Sequence, residues 1–151
     1  MKIAYFDCFA GISGDMTLGA LIGAGADPAR LREGLSALGV GGYRIEVGKR
    51  AVGPIEATDV RVVLDGRHHR HERRLRDILD IIGAAGLPDP VKQTAGRIFR
   101  RLAEAEGRVH GLSPEEVHFH EVGAVDSIAD IVGTALCVEM LGGPKVISSP
   151  M

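Results

Sequence analysis

At 151 residues, with 45% hydrophobic and 25% charged side chains, the chain has the composition of one ordinary folded domain, not of a disordered segment. A formal net charge of −2 and 4% aromatic residues, with no Trp, exclude a basic nucleic-acid footprint and a base-stacking platform. Two cysteines make no disulfide framework, and no apolar run suits a signal peptide or a membrane span. The expected location is cytoplasmic, with neither nucleic acid nor membrane as a partner.

In chain order, Ile3–Phe6 is four apolar residues closed by Asp7 and reads as a short buried strand. Residues 8–13 form a loop, and Gly14–Ile22 fits a helix with Ser13 as N-cap. A second helix is expected over Pro28–Leu38, with Asp27 as N-cap, Pro28 at the first position and Gly39 beyond the end. Tyr43–Gly48 and Ile55–Leu64 look like strands joined through Gly53 and Pro54 as a hairpin. Residues 65–74 carry three His and four Arg and read as an exposed loop. Leu75–Ala85 has helical spacing through Leu75, Ile78, Leu79 and Ile82. Another helix is predicted over Asp89–Gly107, with Ile98, Leu102 and Ala105 inward. Ser113 to Glu116 matches a capping box opening a short turn, Val117–Glu121 is extended, Asp126–Leu141 helical, and Val146–Ser148 a last strand. This order predicts a single α/β (or α+β) domain, a small mixed sheet of about four strands flanked by helices.

Three stretches could carry chemistry. In the first, residues 118–130, alternation puts His118 and His120 on one face of an extended segment while Val117 and Phe119 point inward. Imidazole binds transition metals, and Glu121, Asp126 and Asp130 lie close by in sequence. Asp126 and Asp130 share a helical face that Thr134 and Cys137 prolong, and a polar stripe on an apolar helix is costly unless it meets a ligand or partner. The plainer alternative makes Asp126 an N-cap and the two His bystanders. The second stretch, Asp7 to Asp15, follows the first strand, and Gly11 and Gly14 would let a ligand approach the backbone. It carries neither nucleotide fingerprint, and Asp7 and Asp15 suit a cation better than phosphate; the alternative is a turn with Asp15 on the helix dipole. The third stretch holds His68, His69 and His71, which could capture divalent metal in passing, although four Arg oppose cations and a solvated loop accounts for them equally well.

Taken together, residues 1–16, residues 118–131 and the His-bearing loop between them resemble the LarC family, nickel insertion proteins for pyridinium-3,5-bisthiocarboxylic acid mononucleotide. The resemblance implies an enzyme, a CTP-dependent cyclometallase of the lyase class that places nickel(II) on the sulfurs and a pyridinium carbon of that nucleotide. The product is the cofactor of lactate racemase. It further implies a longer or split protein, residues 1–151 being its N-terminal nickel-handling domain. The C-terminal part would be a partner carrying the site for CTP with Mn or Mg, and an oligomer is expected. On this reading Asp7, Ser13, Asp15, Asp126 and Asp130 are catalytic and Gly11 and Gly14 bind cofactor. His118, His120 and Glu121 hold the metal, with His68, His69 and His71 as secondary delivery ligands. The Arg-interrupted loop departs from the longer His runs of relatives. Two other readings stay open: a non-catalytic nickel chaperone domain, and an interaction module whose polar stripe meets a partner chain.

Overall fold

Helix ends here are made by short side chains in the sequence immediately beside them. Ser13 accepts a hydrogen bond from the Met16 N–H at 3.2 Å and opens α1 (Gly14–Gly23), while Asp27 accepts from the Ala29 N–H at 2.8 Å and opens α2 (Pro28–Ser36). The computed structural model describes residues 2–65, 73–119 and 125–150. Around those two helices the chain order is β1 (Ile3–Phe6), then α1 and α2, then β2 (Tyr43–Val52) and β3 (Ile55–Leu64). There follow β4 (Arg73–Arg74), α3 (Leu75–Ala84), α4 (Asp89–His110), β5 (His118–Phe119), α5 (Val125–Met140) and β6 (Lys145–Ser148).

The mixed α/β class is as the sequence suggests. Among the described residues the strands are shared between three two-stranded ribbons instead of one sheet. β1 and β6 pair in parallel, β2 and β3 form the expected hairpin with Gly53 in its turn at φ +60°, and β4 and β5 pair antiparallel. The hairpin runs four residues further than the alternation of β2 suggested, because pairing continues from Gly48 to Val52. Glu116 accepts from both the N–H and the hydroxyl of Ser113, which closes the turn before β5.

The core is aliphatic around Phe99 and Phe119, whose rings meet edge to face with centroids 6.4 Å apart. Along α4 the inward stripe is Val91, Ala95, Phe99 and Ala103; Ile98 and Leu102 are half-buried and Ala105 is exposed. The inward face is thus rotated from the expected one, since burying Phe99 removes more apolar surface than burying Ile98. Residues Val117 and Phe119 are buried, as alternation predicts, and hold β5 against this core.

α1 packs on both α5 and β3, and glycines set how closely. A Cβ at Gly19 would lie 2.6 Å from the Thr58 carbonyl oxygen of β3, and one at Gly133 of α5 would lie 3.1 Å from a Leu18 methyl and 3.2 Å from a Leu31 methyl. Gly19→Ala should therefore destabilise the fold by up to about 2 kcal/mol. The overpacking cost of about 1–3 kcal/mol outweighs the roughly 1 kcal/mol that Ala gains over Gly in a helix. Gly23→Ala, whose Cβ would meet Thr58 Oγ1 at an ordinary 3.4 Å, serves as the control and should be neutral or stabilising. Chemical denaturation of the two variants checks this; equal midpoints would show that Gly19 does not set the spacing.

Candidate functional site

The two stretches singled out in the sequence, far apart along the chain, meet where the first turns of α1 and α5 cross. Gly14 opens α1, and the position a Cβ would take there is occupied by the Asp130 carboxylate of α5. One of the Asp130 oxygens, Oδ1, is buried and has no hydrogen-bond partner among the described residues. Burial raises its carboxyl, and the negative charges of Asp15 and then Asp126 raise it further, to about 7. Asp126 lies in the first turn of α5 and accepts from the Ser127 N–H at 2.8 Å, and its charge reaches Asp130. Among the described residues no Lys or Arg pairs with Asp15, Asp126 or Asp130. The negative charges of Asp15 and Asp126 thus act on Asp130 with no ion-pair partner for any of the three among the described residues.

The remaining candidates fall in different places. Asp7 is exposed at the end of β1. The loop after it is tied by the Gly11 N–H donating to the Cys8 carbonyl at 2.9 Å, with Gly11 at φ +84°, and by the Cys8 N–H donating to Ser149 Oγ at 2.8 Å. Ser13 spends its hydroxyl on the α1 cap. His118 stands half-buried on β5 opposite Arg74 of β4, and its Nε2 accepts from Arg74 Nε at 3.1 Å, the geometry of a neutral imidazole protonated on Nδ1. His68, His69, His71, His120 and Glu121 lie outside the described residues. Among the described residues no three His, Cys, Asp or Glu side chains come close enough to hold a metal ion, so neither Asp15, Asp126 and Asp130 by themselves nor His118 with them forms a closed set.

The stripe expected along α5 ends in the core. Cys137 is fully buried and burial pushes its thiol up to about 11, which makes it a packing residue, not a ligand. Arg74 went unnoticed in the sequence, where it is one of four Arg in a polar run; only the β4–β5 register shows that it faces His118. Beside that pair Arg74, Arg76 and Arg100 line a cleft of about 660 Å³ together with Asp80, Glu104 and Glu115. No described helix is long and apolar enough to cross a membrane.

A family model described as nickel insertion protein matches residues 4–151. The pyridinium-3,5-bisthiocarboxylic acid mononucleotide nickel insertion protein of Acetivibrio thermocellus is 49% identical over 158 residues, covering 100% of this chain and 39% of that protein. Putative nickel insertion proteins of Dictyoglomus thermophilum and Citrifermentans bemidjiense are 46% and 52% identical, over 100% and 99% of this chain and 39% and 38% of their own lengths. The chain thus spans about two fifths of the length of these curated relatives. No solved structure matches it.

The raised Asp130 carboxyl fixes a sign for stability against pH. The folded state holds its proton more tightly than the unfolded chain does, so the stability it confers is complete below the ordinary carboxylate value of 3.8 and is lost as pH rises through about 7. Asp130→Asn, which keeps the shape and removes the charge, should raise the melting temperature at about pH 8 by on the order of 2–4 °C and change it little near pH 4. Parallel melting curves for wild type and variant across that range would speak against the buried, charge-coupled setting.

Proposed function

This chain belongs to the nickel insertion protein family, and we propose on that footing that it takes part in inserting nickel(II) into pyridinium-3,5-bisthiocarboxylic acid mononucleotide. The observation that carries the reading is the uncompensated carboxylate cluster at the α1–α5 crossing, with Asp130 seated on Gly14 and one oxygen left unpartnered. A half-buried carboxyl with one oxygen unpartnered fits a task in which a proton arrives and leaves.

The roles divide by chemistry. His118, with His120 and Glu121 next to it, receives nickel, for which neutral imidazole is a good ligand. Arg74 donates a hydrogen bond to His118 Nε2 and must release it when that nitrogen binds metal. His68, His69 and His71 act as delivery ligands. When nickel bonds to a pyridinium carbon, the C–H bond breaks and its electron pair goes to the metal. The proton goes to a base, and Asp130, with a carboxyl near 7, is poised to accept it. Asp15 and Asp126 hold that value up. Asp7 stands exposed just after β1, and Ser13 keeps α1 in position by capping it.

CTP fits poorly at Gly11 and Gly14, where Asp130 fills the space above Gly14 and Asp7 and Asp15 repel phosphate. Use of CTP with Mn or Mg therefore falls to the part of the protein that this chain does not cover. The complete protein would be a nickel chelatase of the lyase class, making the nickel-pincer cofactor of lactate racemase in the cytoplasm, in an oligomeric assembly.

The test mixes this chain with the precursor nucleotide, nickel and CTP with Mn, alone and beside the remaining part of the Acetivibrio relative, and follows product by mass. Expected is nickel binding without product for the chain alone and product when both parts are present. Asp130→Asn should then lower the rate by about 10²–10⁴-fold while nickel affinity, read by calorimetry, stays the same. Replacing His118 and His120 together by Ala should remove the tight binding, which in the wild type should weaken on acidification because protons compete with the metal for imidazole. Turnover by the chain alone would overturn the division of labour. Normal turnover in Asp130→Asn would remove the proton-accepting role, and nickel bound yet never transferred in the mixture would favour a metal-supplying domain.

A further inference from the structure

Parallel strands are ordinarily covered on both faces and flanked on both sides, because the connections between them lay other elements across the sheet. The β1–β6 ribbon departs from this. It consists of two strands of four residues, in register from Ile3 opposite Lys145 to Phe6 opposite Ser148. Two strands alone are at best marginally stable in water. On one face Ile3, Tyr5 and Ile147 remain 54%, 62% and 38% exposed, and on the other Val146 is 51% exposed. Each strand also has an unpaired backbone edge among the described residues. Next to β1 a groove of about 330 Å³, mostly apolar, is lined by Tyr5, Phe6, Ile12, Met16, Ala20 and Leu141. Phe9, 89% exposed, stands on the loop beside it.

We propose that this ribbon and its groove are the docking surface for the rest of the polypeptide found in the longer relatives, which adds at least one strand to a ribbon edge and fills the groove with apolar side chains. The inference rests on the family membership above, not on the nickel chemistry. The chain covers 39% of the Acetivibrio relative, so about three fifths of that protein must pack somewhere. With two edges free among the described residues and one face largely uncovered, while Phe6 on the other packs against the core, the ribbon can take a further strand and a covering layer. A second copy related by a twofold axis fits less well, since it would pair one edge with itself and leave the other edge open. The docked part would also come to lie beside Asp7, because the Cys8 N–H to Ser149 Oγ hydrogen bond ties the carboxyl ends of both strands to that loop.

Amide hydrogen exchange read by mass spectrometry on this chain and on the intact Acetivibrio relative, both without metal, tests the proposal. Amides of Ile3–Phe6 and Lys145–Ser148 should exchange about 100-fold more slowly at the matching positions of the intact relative, with α4 unchanged. Equal exchange in the two proteins would overturn it. Sedimentation of this chain adds a second reading. A monomer supports the proposal, whereas a dimer that Ile147→Asp dissociates would assign the surface to a second copy and overturn it. Neither readout depends on nickel, so docking and metal insertion can fail separately.

Discussion

α1 lies against α5 and β3 at distances that only hydrogen side chains at Gly14, Gly19 and Gly133 allow, and the remainder of the arrangement follows from that contact. It brings the start of α1 to the start of α5, buries Leu18, Leu31 and Val132 between the helices, and holds the hairpin by the Thr58 carbonyl. Close approach of this kind gains dispersion contact and excludes water, and both effects bear on whatever polar group lies at the crossing.

That group is Asp130. A carboxylate under a glycine, near two others and without a cation, is a costly feature to keep inside a fold. Its cost is local, and it lies on the two most distinctive stretches of the sequence. A fold optimised only for stability would have placed an apolar residue there, so the polar choice points to chemistry in which charge changes during the cycle.

How much of this was legible in the sequence depended on range. Ser13, Asp27 and the Ser113–Glu116 turn act on backbone groups two or three residues away, so their side chains announce them. The β2–β3 hairpin was readable for the same reason, Gly53 lying inside its turn. The inward face of α4 was misread as including Ala105, because periodicity leaves the phase of a helix free by one residue and Phe99 decides it by packing on Phe119. The three ribbons could not be distinguished from one mixed sheet, since strand partners are chosen over separations such as that of Ile3 and Lys145. At the site, Asp126, Asp130 and Asp15 were each visible as acidic residues of a helical first turn or stripe. The seating of Asp130 on Gly14 was not visible, and neither was the pairing of Arg74 with His118, because both are tertiary contacts.

The fold keeps both of its thiols out of reach, Cys8 at 6% exposure and Cys137 at none. A borderline metal ion meeting the described surface therefore finds nitrogen and oxygen donors but no thiolate. For a protein whose proposed task ends with nickel on the sulfurs of a thiocarboxylate, that absence sets a direction. The metal moves from harder donors on the protein to softer ones on the product, and the gradient in ligand softness opposes its return.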